Sequence, residues 1–201
     1  MKPEVPPPPH HNSCNPWLLY QLADSAFPTG GFAHSGGLEA AWQQGEVRGS
    51  GPLRAFLESS LTQLAHGALP FVVRAHAMPD QLGELDSLCD AFLTNHVANR
   101  ASRLQGKSFL LAVERGLGFQ FTPQEETPPT DQVFHGHWAP LFGAIAARLG
   151  ISRIDAVRLF VFVTLRSWVS AAVRLGIVGP MEGQSIQLAL APFAVNVVTR
   201  S

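Results

Sequence analysis

The chain has 201 residues, of which 46 % are hydrophobic and only 14 % charged, against roughly 25 % charged in an ordinary globular domain. Part of so apolar a surface is expected to be covered by a partner, and the net charge of −1 gives no electrostatic basis for binding nucleic acid or an anionic membrane. The two cysteines, Cys14 and Cys89, make neither a disulfide framework nor a zinc spacing, and with no signal peptide in view a reducing, cytoplasmic setting is expected.

Residues 1–15 carry Pro6-Pro7-Pro8-Pro9 and His10-His11 and are expected to be a disordered, polyproline-like arm. A helical domain is expected over 16–201. Pro16 suits a first helical position, Leu18, Leu19 and Leu22 share one face, and Pro28 forces the helix to end before it. Next comes a turn with two glycine pairs, Gly30-Gly31 and Gly36-Gly37, then a short helix from about Gly37 to Gln44, stopped by Gly45. Ser50-Gly51-Pro52 opens a third helix with Leu53, Phe56, Leu57, Leu61 and Leu64 at i, i+3, i+4 spacing, and Pro70 is expected to break it. A further helix is expected over Phe71–Met78. Asp80 is expected to cap the next, whose apolar positions are Leu82, Leu85, Leu88, Cys89 and Phe92.

From Val97 to Gly116 the spacing predicts a helix with an exposed, polar first half and a buried second half. Residues 119–134, with Pro123, Pro128 and Pro129, read as a loop. His137–Leu149 reads as a helix ended by Gly150, and Ser152 to Asp155 has capping-box spacing for the longest helix, Ser152–Leu175. Ile154, Val157, Val161, Leu165, Trp168, Ala172 and Leu175 share one face of it, and further apolar groups around it predict a buried central element. The apolar runs Leu159–Leu165 and Ile186–Val198 fall short of the roughly 20 residues of a membrane span. Met181 to Val197 has helical composition with one proline, Pro192. No period-2 strand pattern is present. The fold is therefore expected to be all-α, one irregular bundle of about eight to ten helices.

Few residues suggest chemistry. The glycine-rich turn has no following Lys and no preceding strand, so neither phosphate-loop pattern fits. Its readings are a tight corner between helices or a partner-facing backbone surface. His34, Ser35 and Glu39 resemble parts of a hydrolase triad, without the strand–turn–helix elbow. His135 and His137 would point the same way from an extended segment, as metal ligands do, with Asp131 the nearest acid, though a firm site needs three or four ligands. A metal-dependent all-α enzyme using these two histidines is the alternative reading. Arg100, Arg103 and Lys107 form a cationic stripe, either solvated or facing an acidic partner. Arg166 and Arg174 lie in an apolar helix and need partners, such as Glu182 or a helix C-terminus. No general acid–base pair emerges, so no enzyme activity is expected.

Four segments together resemble the UreF family of urease accessory proteins. They are Leu22 to Glu39, containing Phe27-Pro28-Thr29-Gly30-Gly31-Phe32 and Ser35-Gly36-Gly37-Leu38-Glu39; Ala101 to Ser108; His137-Trp138-Ala139-Pro140-Leu141-Phe142-Gly143; and Ala171 to Gly176 with Gly183-Gln184. The resemblance implies an all-α fold and a non-catalytic chaperone role in inserting nickel into apo-urease. The implied partners are a UreD/UreH-type scaffold, a UreG-type GTPase, the urease apoprotein through that complex, and a second copy in a homodimer. It implies no tightly bound cofactor, with nickel handled by the assembled complex. Pro28, Gly30, Gly31, Phe32, Ser35, Gly37, Leu38, Glu39, Arg103, Lys107 and Arg174 are the expected partner or interface residues. The sequence stops at Val198-Thr199-Arg200-Ser201, before the Ser-Arg-Leu-Phe-like tail expected of the family. A shortened UreF-like isoform without full chaperone activity is therefore a further alternative.

Overall fold

The computed structural model describes residues 15–31, 34–121 and 133–200, and all regular structure among them is helical. The helices are α1 (Pro16–Ala23), α2 (Leu38–Gln43), α3 (Ser50–His66), α4 (Ala68–Ala77), α5 (Leu82–Phe92), α6 (His96–Leu117), α7 (Trp138–Arg148), α8 (Arg153–Arg174), α9 (Pro180–Ala189) and α10 (Ala191–Thr199). The all-α expectation holds. The expected arm lies outside the described residues except for Asn15, which belongs to the folded part: its side chain caps α1 by accepting the Trp17 N–H at 3.0 Å. The expected loop at 119–134 is irregular where it is described, and 122–132, Asp131 included, lie outside the described residues.

Three boundaries differ from expectation. The break after α3 falls at Gly67 rather than Pro70, which sits in the first turn of α4. That turn tolerates proline because its N–H groups have no intrahelical acceptor. Asp80 does not cap α5; it lies in a 3-10 turn, Pro79–Gln81, and pairs with Arg148 at 3.5 Å. Residues 181–197 form two helices, since Pro192 starts α10.

The core is one cluster running from Leu22 to Val198. Helix α8 is its hub and packs against α1, α2, α3, α4, α7, α9 and α10. At 22 residues it is long and apolar enough to cross a membrane, which the run-length reading did not anticipate, but 56 % of that apolar window is buried inside the fold. Ile154, expected on the core face, is 42 % exposed, as is Phe162. Ser152 caps α8 as expected: its hydroxyl accepts the Asp155 N–H at 3.2 Å and donates to the Asp155 carboxylate at 2.7 Å. Rings of Phe109, Trp138, Phe142 and Phe160 lie 4.9–5.5 Å apart, edge-on, tilted or stacked, and lock α6, α7 and α8 together.

Candidate functional site

The glycine-rich turn leaves α1 and folds back onto α6 and α8. Gly30 sits over Ser108 of α6, where a Cβ would lie 3.3 Å from Oγ. Gly31 is buried, and a Cβ there would stand 2.8 Å from Nε2 of Gln105. Gly36, at φ +60°, faces the indole of Trp168 so closely that a Cβ would overlap Nε1. The turn is therefore a corner pressed onto two helices through Gly30, Gly31 and Gly36, while Gly37, at φ +91°, has open space around it. Phe32 lies outside the described residues. The Ser35 Oγ accepts the Glu39 N–H at 3.4 Å at the start of α2. Leu38 is buried, whereas Pro28, Gly37 and Glu39 are exposed.

Behind the turn a cleft of about 760 Å³ opens among α3, α4, α5, α6 and α8. Its walls carry polar groups such as His34, Gln63, His66 and Ser102, over a floor that includes Phe71, Trp138 and Trp168. Cys89 also lines it. Burial, reinforced by the nearby Asp86 and Asp90 carboxylates, pushes this thiol up to about 12.

The two histidines meet a different fate from the metal pair envisaged. His137 is completely buried. Its Nε2 lies 3.0 Å from Asp90 Oδ1 and its Nδ1 lies 3.1 Å from Ser102 Oγ. Both ring nitrogens are thus engaged by protein. His135 lies alongside, 6.0 Å between ring centroids, with Nδ1 3.8 Å from Asp90. Among the described residues no three His, Cys, Asp or Glu side chains are grouped to hold a metal ion. The geometry is that of an anchor. The buried Asp86 carboxylate accepts the successive backbone N–H groups of His135, Gly136 and His137 at 2.5, 3.0 and 2.7 Å. Asp90 accepts from Asn99 at 2.9 Å as well as meeting His137. Hydrogen bonds from Asn99 first, and then His137, hold its carboxyl below the ordinary aspartate range.

Arg103 and Lys107 stand on the outer side of α6, with Arg100. Lys107 is exposed and Arg103 half-buried, and neither makes an ion pair with a described residue. The inner side of the same helix carries Gln105 and Ser108, against which the turn rests. Stripe and turn therefore occupy opposite sides of one helix. Arg174 is exposed in the last turn of α8, where a cation favourably meets the helix C-terminus. Arg166 is the more buried arginine: it donates to the carbonyl of Ala23 at the end of α1, and burial lowers its pKa.

The sequence reading missed Asp86, Asp90 and Ser102. A signal for Asp86 was available, because Leu82, Leu85, Asp86 and Cys89 share one helical face, and an acid within an apolar stripe needs buried donors. It also missed that the segments 103–108 and 137–143 meet. A Cβ on Gly106 would overlap the Gly136 carbonyl oxygen, and one on Gly143 would overlap that of Val72.

Comparison with known proteins matches this sequence to a family. The UreF family model covers residues 47–191. Urease accessory protein F of Oryza sativa subsp. indica is 38 % identical over 192 residues, covering 92 % of this chain and 72 % of the rice protein. Urease accessory protein F of Arabidopsis thaliana is 39 % identical over 184 residues, 88 % of this chain and 75 % of the plant protein. An uncharacterized urease accessory protein UreF-like of Schizosaccharomyces pombe is 31 % identical over 164 residues, 78 % and 70 % of the two chains. With a family match over most of its length and relatives of this identity, the chain belongs to the UreF family.

Proposed function

We propose that this protein is a non-catalytic accessory factor in urease maturation. It joins a UreD/UreH-type scaffold and recruits or regulates a UreG-type GTPase, and the assembled complex, rather than this chain alone, handles nickel on its way into apo-urease. A homodimer in the cytoplasm is part of the same reading.

Family membership supports the maturation role. The observation that carries the docking part is the two-sided use of α6. Its inner side seats the glycine corner through Gln105 and Ser108, and its outer side presents Arg103 and Lys107 without an ion pair to any described residue. The test is reconstitution with the scaffold and the GTPase, using wild type and Gly31→Val. The expected result is a complex of all three proteins with wild type and clearly weaker assembly with Gly31→Val in a sample that remains folded. A folded wild-type protein that captures neither partner overturns the reading. If Gly31→Val simply unfolds, the corner is structural and docking rests on α6 alone.

A further inference from the structure

Helix α6 is amphipathic in an unusual way. Its inner face buries Gly106, Phe109, Ala112 and Val113, and among the helices it leans chiefly on α7. Its outer face is not simply polar. Val97, Leu104 and Leu111 recur every seven residues along the edge between that face and the glycine corner, where Leu111 borders a groove also lined by Phe27 and Pro28, and are 64 %, 48 % and 46 % exposed. Residues seven apart on a helix lie nearly in line and form one seam of a helix–helix contact. The seam runs about 21 Å, at 1.5 Å rise per residue. Between and beside its apolar members stand Arg100, Arg103, Lys107 and Arg115, with Glu114 the one acid in the helix. The basic side chains of α6 outnumber its acids although the whole chain has a net charge of −1.

An apolar line of heptad spacing with Arg100 and Lys107 along one side fits a helix laid alongside, apolar on its contacting edge and acidic on the flank that meets them. A second copy of α6 would set cation against cation, which opposes self-pairing at this seam. We infer that the outer face of α6 docks an acidic amphipathic helix of a partner protein, with Leu104 at the centre of the seam and Arg100 and Lys107 reading its charge. This deepens the docking role proposed for Arg103 and Lys107 and rests on that reading for its biological setting. The assay below uses no urease component, so its outcome and that of the reconstitution are separable.

The probes are two fluorescein-labelled 21-residue helical peptides with leucine at the same heptad positions, one with Glu and one with Lys at the flanking positions. Binding to the full chain is read by fluorescence anisotropy. The Glu peptide is expected to bind and the Lys peptide not. Arg100→Glu/Lys107→Glu, Leu104→Ser, and 0.3 M in place of 0.05 M salt are each expected to weaken the Glu peptide about tenfold or more. Because these side chains are exposed, helical content and melting temperature should stay unchanged, which separates lost docking from lost folding. The inference is overturned if neither peptide binds, if both bind alike, or if charge reversal has no effect. It is also overturned if sedimentation shows a wild-type dimer that Leu104→Ser dissociates, since the seam would then belong to a second copy.

Discussion

Gly106 of α6 rests directly on the carbonyl oxygen of Gly136, with no room for a methyl group between them. Backbone meets backbone here, so neither side can yield by changing a rotamer. Gly106→Ala should cost about 3 kcal/mol or more, at the upper end of overpacking effects, and lower the melting temperature by roughly 6–12 °C for a chain of this size. Gly116, in the same helix, has open space around it. Gly116→Ala should stabilise by about 0.5–1 kcal/mol through helix propensity. Urea titration of both variants checks the pair, and equal effects would contradict the packing described.

The glycine corner offers a graded comparison. At Gly31 the obstacle to a Cβ is the end of the Gln105 side chain, which can swing away. At Gly36 it is the fixed indole of Trp168, and the backbone is also left-handed. Gly36→Ala should therefore be the more destabilising, by about 2 kcal/mol or more, from the left-handed penalty plus the clash. Gly31→Ala should stay within about 1 kcal/mol of wild type. Thermal melts that rank them the other way would place the strain elsewhere in the turn.

Asp86 holds three consecutive N–H groups with one buried carboxylate. Removing it strands all three donors. Asp86→Ala should cost about 3–5 kcal/mol, read as a loss of folded protein in urea titration. A change under 1 kcal/mol would mean that the 135–137 segment finds other acceptors.

Asp90 gives a pH signature. Its folded pKa lies below its unfolded one, so its contribution is full above about pH 4, the unfolded aspartate value, and is lost as pH falls through the folded value. Asp90→Asn should melt about 2–4 °C lower than wild type at pH 6–7, as expected for weakening a charge-assisted hydrogen bond. The gap should close below about pH 4. A gap that widens on acidification has the wrong sign for this site.

Cys89 should resist alkylation. Its thiol is buried and pushed up to about 12, so little nucleophilic thiolate exists at pH 8. Iodoacetamide should label it at least about a hundredfold more slowly in the native than in the urea-unfolded protein, on the thiolate fraction alone. Mass mapping separates it from Cys14. Equal rates would show that α5 opens freely.

Much of this fold was legible in the sequence because it is written locally. Asn95 and Ser152 cap the two longest helices, while glycines at 45, 118, 150 and 176 take the left-handed conformation beside helix ends. Pro70 misled because a proline that breaks a helix interior is harmless in a first turn. The anchor at 135–137 was not legible because its acceptor, Asp86, lies about fifty residues away in sequence. The seam on α6 escaped for a different reason. Val97 and Leu104 fall in the half of the helix expected to be exposed and polar and Leu111 in the half expected to be buried, so a line joining all three emerges only when the structure leaves them uncovered.

The position of α8 along the chain has a consequence for synthesis. Seven other helices pack against it, yet it spans residues 153–174, so most of the chain is made before its central support exists. Until these residues emerge, the parts of the apolar faces of α1, α2 and α3 that α8 covers stay exposed to water. Such a nascent chain invites aggregation, since domains complete folding as units. Products truncated before residue 153 should accumulate in inclusion bodies, whereas chains carried through α10 should not.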